Sequence, residues 1–208
     1  AIDAAATAVA SLAPIDNPMS APGTTLSGVM VLRTAEGPYW LSFNVGDSRV
    51  YVVGGGGIRQ LTHDHSALQE ARDLAATSGA PRVIPPANVV TKALGAGQTG
   101  SVKADYTIMP LEEGDRAVIC TDGVHGVLRD SQIHAVVAAG DGPQGTADVL
   151  VRASLESGTR DNTTAVVVYA GTKSRVTLTS NVMNRMIQPV RPASIETARR
   201  VPRREGSN

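Results

Sequence analysis

The chain has 208 residues, 42% of them hydrophobic and only 3% aromatic, and its 19 Lys and Arg balance 19 Asp and Glu. That supports one substantial core built from Ala, Val and Leu, while the single cysteine, Cys120, excludes a disulfide framework and points to a reducing, cytoplasmic setting. No run approaches the roughly 18 apolar residues of a membrane span, so no membrane partner is expected. Charge is uneven: residues 1–172 carry 11 basic against 17 acidic side chains and residues 173–208 carry 8 against 2. The mildly acidic body is compatible with cation binding and argues against a nucleic-acid partner.

Taken in order, Ile2, Ala5, Val9 and Leu12 recur at helical spacing and predict an amphipathic helix over 2–12 that covers a sheet and ends before Pro14. The chain starts on Ala inside this pattern, which reads as a helix already under way and leads us to expect an upstream portion. After a loop with Asn17, Pro18, Pro22 and Gly23, residues 24–32, 39–45, 49–53 and 58–61 read as strands joined by short turns, an antiparallel meander. The four glycines at 54–57 lack the helix and Lys-Ser/Thr of a phosphate loop and read as a hairpin tip. Ser66 and Gln69 form a capping-box signal for a helix through Ser78, stopped by Gly79 and Pro81, with Leu68, Ala71 and Ala75 as its small apolar face. His63 and His65, just before it, read as polar loop and cap entry rather than as a metal pair. The proline-rich segment 81–88 is irregular. A strand near 102–109, a buried strand at 117–120, helices near 131–139 and 144–157 and a last strand at 165–170 complete the pattern.

This order predicts an α+β fold of two stacked antiparallel sheets flanked by helices. Beyond 171 the apolar periodicity fades, with 182–187 retaining at most one helical turn, and prolines and arginines accumulate. The expected organisation is a domain over 1–171 and a basic, mobile tail over 172–208.

Chemistry gathers around three acids. Asp122 follows the strand 117–120, and Gly123 removes a side chain that would block a ligand's approach. Asp161 precedes the last strand, so antiparallel pairing of these two strands would bring both acids to one sheet edge. Asp47 lies between two further strands, also at a rim. Three carboxylates at one edge repel one another unless a cation compensates, and an all-oxygen set suits a hard ion, Mg or Mn. Arg49 and Arg160 flank these acids and are candidates for orienting a carboxylate or meeting phosphate. A surface salt bridge is the competing reading for both. His125 is a weak candidate acid, a solvated turn histidine being the alternative. Cys120, buried in a strand without a basic neighbourhood, is no nucleophile.

The segments Gly23-Thr-Thr-Leu, Gly46-Asp-Ser-Arg, Leu61-Thr-His-Asp-His-Ser, Val90-Thr-Lys-Ala-Leu-Gly, Gly114-Asp-Arg-Ala-Val-Ile-Cys-Thr-Asp-Gly and Asp161-Asn-Thr-Thr resemble, in order, the motifs of the metal-dependent protein phosphatases, the type 2C serine/threonine family. The resemblance implies an αββα four-layer sandwich, a flap over 66–95 that chooses the substrate, and hydrolysis of phosphoserine or phosphothreonine in proteins by a metal-activated water. It also implies two or three Mg or Mn ions in a complete domain. Asp122 and Asp161 would serve the second ion, and Asp47 with Asp122 a weaker third. The family's early motifs, a phosphate-gripping Arg and an Asp-Gly that bridges the metals, have no counterpart here and are expected before residue 1, together with the leading strands of one sheet. The alternative is a non-catalytic phosphatase-like binding or regulatory module. A generic hydrolase using His63 and His65 is a third.

Overall fold

The computed structural model describes residues 1–14, 21–78, 84–86, 88–96 and 101–171. The expected tail 172–208, including 182–187, the loop residues Asn17 and Pro18, the stop signals Gly79 and Pro81 and much of the segment 81–88 lie outside the described residues.

The elements follow the order α1 Ile2–Ala10, β1 Gly23–Thr24, β2 Leu26–Thr34, β3 Gly37–Val45, β4 Arg49–Gly54, β5 Gly57–Gln60, α2 Ala67–Ser78, β6 Leu94–Gly95, β7 Asp105–Pro110, β8 Arg116–Cys120, α3 Asp122–His125, α4 Asp130–Ala139, α5 Pro143–Glu156 and β9 Ala165–Tyr169. All strand pairing is antiparallel, in three groups: β2-β3-β7, β5-β4-β8-β9 and the short pair β1-β6. The expected four-strand meander is therefore corrected. Two hairpins form, but β3 and β4 are not partners, and the chain crosses from one sheet to the other at residues 46–48. Alternation alone marks which face of a strand is apolar, not which sheet receives it.

The core is built in two slabs on either side of the four-stranded sheet. Tyr51, Val53, Val118, Cys120 and Val167 point to one side and pack with Ile133 and Val137 of α4 and Ala147 and Leu150 of α5. Their alternates Val50, Val52 and Ala117 meet Trp40 of β3, with Val29 and Met109 beside it, so the second slab joins the two larger sheets. Asp115 fastens this junction: its carboxylate accepts from Trp40 Nε1 at 3.1 Å and from the Glu112 amide at 2.9 Å, which satisfies a buried acid. Arg116 closes the other side. Its guanidinium donates to the carbonyls of Val137, Ala138 and Gly140 at the end of α4 and lies over the Tyr169 ring.

Two sequence readings of helices need adjustment. Leu12 falls past the end of α1 and is exposed, and α1 buries only Ala6 fully, because the helix rests on a small cluster of Val45, Leu94 and Val102 rather than across a sheet. At α2 the Ser66 hydroxyl accepts from the Gln69 amide, but the Gln69 side chain turns to Asp73, so half of the capping box is made. The hairpin tip at 54–57 forms as expected, with Gly54 opposite Gly57. Among the described residues no helix is long and apolar enough to cross a membrane.

Candidate functional site

The strand ends that lead to Asp122 and Asp161 are neighbours because β8 and β9 pair antiparallel with Cys120 opposite Ala165. Asp122 lies two residues beyond the end of β8 and opens the short helix α3. The segments that carry the two acids are stitched together. The Thr121 amide donates to Thr164 O at 3.1 Å, the Thr164 amide returns to Thr121 Oγ1 at 3.1 Å, and Thr121 Oγ1 reaches Asn162 O at 3.3 Å. Gly123 has a different reason from the one expected. A Cβ there would lie 2.4 Å from Asn162 O, so its bareness admits the loop that bears Asp161 rather than a ligand.

Asp47 arrives at the same edge from the crossover between sheets. Its carboxyl is raised above the ordinary value of 3.8, first by burial and then by the Asp122 carboxylate, although its own backbone amide partly offsets this. Two partly buried acids thus crowd each other. Asp161 is exposed, and its carboxylate accepts from the Asn162 amide at 2.7 Å. Among the described residues no three His, Cys, Asp or Glu side chains stand close enough to form a ready-made metal cage. The three acids therefore do not close on one point. Even so, a crowded pair of hard oxygen donors is chemically suited to Mg or Mn, and these two residues fit such an ion.

A cleft of about 290 Å³ opens on Asp47 and Asp122 and is bordered by Ser66, Arg72, Asn88 and His125. A larger groove of about 740 Å³, lined by Ile2, Leu26, Met30, Phe43 and Tyr106, lies elsewhere against α1 and is too apolar for this chemistry.

The flanking residues divide. Arg49 is not free to meet phosphate: Nε and Nη2 grip Asp64 at 2.7 to 3.0 Å, and Nη1 donates to Tyr51 OH at 2.9 Å. Burial works against its charge, yet Asp64 and Tyr51 together outweigh it and hold the guanidinium above its usual range. This is a largely buried, bidentate pair and not a surface salt bridge. Arg160 is exposed and makes no hydrogen bond or ion pair among the described residues. His125 is not a solvated turn residue: it is partly buried on α3, and its Nε2–H donates to the Asp47 carbonyl at 3.0 Å. Burial first, and Arg49 second, hold its ring below the ordinary value, hence neutral. Burial pushes the Cys120 thiol up to about 12, as expected of an inert core cysteine.

Sequence reasoning passed over Asp64 and Arg72, and read His65 only as polar loop and cap entry or, with His63, as a hydrolase residue. His63 and His65 do not share a ligand. His63 Nε2 pairs with Asp73 at 2.8 Å on the surface, whereas His65 Nδ1 accepts the Gly46 amide at 3.0 Å and Nε2 meets Asp105 at 3.0 Å. All three residues lie in or after a quoted segment, but neither spacing nor periodicity reveals a side-chain partner so far away.

No family model matches the chain. It is 28% identical over 147 residues to the serine/threonine phosphatase stp of Listeria welshimeri, a match that takes in 70% of this chain and 56% of that protein. The chain thus spans about half the length of the curated relatives it matches. Among solved structures it resembles the Streptococcus agalactiae serine/threonine phosphatase with a TM-score of 0.67 and 27% identity, covering 81% of this chain and 68% of that one. It also resembles the catalytic domain of the serine threonine protein phosphatase PstP in complex with two manganese ions, with a TM-score of 0.62 and 27% identity over 80% of this chain and 65% of that one. In sequence and in fold, over most of its length, the chain is similar to bacterial serine/threonine phosphatases.

Proposed function

We propose that this chain forms part of a metal-dependent phosphatase that hydrolyses phosphoserine and phosphothreonine in protein substrates, with Asp122, Asp161 and Asp47 as ligands for Mg or Mn. The observation that carries the reading is the crowding of the Asp47 and Asp122 carboxyls at the edge where β8 and β9 deliver Asp161. Phosphatase relatives and a neighbour that binds two manganese ions support it. The non-catalytic alternative has no observation in its favour. We further read residues 1–171 as one phosphatase-like domain of the αββα four-layer kind.

A divalent ion bound there supplies an acidified water and neutralises phosphoryl oxygens. The chain's own residues then have separate tasks. Asp122 and Asp47 face the cleft and bring the negative charge that attracts the ion. Arg72, which also lines the cleft, is a cation available to an anionic substrate, whereas Arg49 is committed to Asp64. His125 holds the Asp47 backbone through its Nε2–H.

The test is hydrolysis of a phosphothreonine peptide by the purified protein with Mn or Mg and with EDTA. Turnover is expected to need the ion and to fall by at least about 100-fold in Asp122→Ala, in line with losing a metal-assisted route. Undiminished activity of that variant, or activity that persists in EDTA, would overturn the proposal.

A further inference from the structure

We propose that His65 is a positioning residue for this site, holding the 46–48 crossover so that Asp47 is presented beside Asp122. The inference rests on the phosphatase reading for what Asp47 does, but not for how it is held.

The crossover has little regular structure of its own, being the point where the chain leaves one sheet for the other. It is nevertheless bound on every side. His65 makes two reciprocal bonds to Gly46: its Nδ1 accepts the Gly46 amide at 3.0 Å, and its own amide donates to Gly46 O at 3.0 Å. Asn44 Nδ2 adds a bond to the same carbonyl at 2.9 Å, and Ser27 Oγ donates to Ser48 O at 3.1 Å. Gly46 has φ +111°, and a Cβ there would lie 2.3 Å from Thr25 Cγ2, so the turn has no alternative packing in place.

What distinguishes His65 from the other braces is that its ring state is dictated. Because the Gly46 amide must donate to a lone pair, Nδ1 carries no proton and the neutral ring holds it on Nε2. That N–H is aimed at Asp105 Oδ2, 3.0 Å away; Lys92 Nζ holds the other carboxylate oxygen at 3.0 Å and also lies 3.3 Å from Nε2, where, being a donor itself, it cannot take the ring proton. The His65 side chain is 11% exposed, so water competes little for either nitrogen. A continuous line therefore runs from Lys92, in the segment that ends at β6, through Asp105 at the start of β7 and His65 to the residue before Asp47. It is the arrangement by which an outer carboxylate fixes an imidazole that fixes something else, here a backbone amide instead of a metal.

Two substitutions separate the ring's two ends. In His65→Asn the amide oxygen can take the place of Nδ1 and still accept from Gly46, whereas in His65→Gln the longer side chain reaches toward Asp105 and the Gly46 acceptor is lost. Amide hydrogen exchange at residues 46–48, the manganese dissociation constant from the paramagnetic resonance of free Mn, and Tm are measured for each. Expected is parent-like Gly46 protection and manganese affinity in His65→Asn. In His65→Gln, Gly46 should exchange about tenfold faster and manganese should bind about 10- to 100-fold more weakly, with Tm lowered equally in both. Unchanged Gly46 exchange in His65→Gln, or affinities that simply follow Tm, would overturn the inference. Should His65→Gln fail to fold, His65→Ala, which also removes the Gly46 acceptor, takes its place: faster exchange at Gly46 supports the inference and unchanged exchange overturns it. If the parent bound no manganese, the phosphatase reading would fail, while the exchange contrast would still decide the positioning.

Discussion

At the scale of single residues, the lesson lies in Arg49. Its place beside Asp47 marks it as a candidate for phosphate, but its guanidinium is spent on Asp64, which is buried with 6% of its side chain exposed. No local pattern announces that pairing, because the partners are 15 residues apart and meet only once β4 and the segment after β5 are in place. Removing one partner strands the other charge, so Asp64→Ala is expected to cost about 3 to 5 kcal/mol of unfolding free energy, measured by denaturant titration. A loss under about 1 kcal/mol would mean the pair behaves as a solvated one. Asp47 makes the opposite prediction. Its folded carboxyl titrates above 3.8, so the stability it contributes to the ion-free protein is complete below that pH and is lost as pH rises through the folded value. Asp47→Asn should therefore raise the ion-free Tm at pH 7 by about 1 to 3 °C and have little effect near pH 3. A lower Tm at pH 7 would contradict the crowding of the two acids. Cys120 was fully legible: an apolar run of strand length holding one thiol is a core position, and an aromatic disulfide reagent should leave it unmodified until the protein is unfolded.

Among the elements, existence and type followed from the sequence, while partnership did so only in part. Strong alternation located β3, β4, β8 and β9, and a capping serine located α2, each to within about two residues of the expected bounds. The antiparallel pairing of β8 with β9, which makes the strand ends leading to Asp122 and Asp161 neighbours, was the expected one. The assignment of β2 and β3 to one sheet and β4 and β5 to the other was not, because a two- or three-residue link between strands signals a hairpin far more often than a crossover. The bonds of His65 and Ser27 to residues 46–48 that brace the crossover reach across 19 and 21 residues and leave no local signal. Gly46→Ala should be a severe test of that element. With φ +111° and a Cβ 2.3 Å from Thr25, it is expected to lower stability by about 1 to 3 kcal/mol and to weaken manganese binding together with it. A neutral effect on both would show that the crossover can relax without moving Asp47.

For the molecule as a whole, a site at the rim of stacked sheets follows from how the core is made. Trp40, Val50, Val52 and Ala117 lock the two larger sheets together, and the helices α4 and α5 cover the far side of one of them. The strand ends and the crossover are then the places where polar side chains can collect on a supported frame. The cleft on Asp47 and Asp122 is not legible in the sequence, because Ser66 and Arg72, which also line it, lie just before and within α2, far along the chain from both acids. The claim that this edge holds a hard cation is tested most directly by titrating manganese into the protein and into Asp122→Asn, with free Mn followed by its paramagnetic resonance. The parent should bind manganese, and Asp122→Asn, which removes the carboxylate shared with Asp47, should lose at least about tenfold in affinity while keeping its fold. Equal affinity in the two proteins would contradict the assignment of the edge as a metal site.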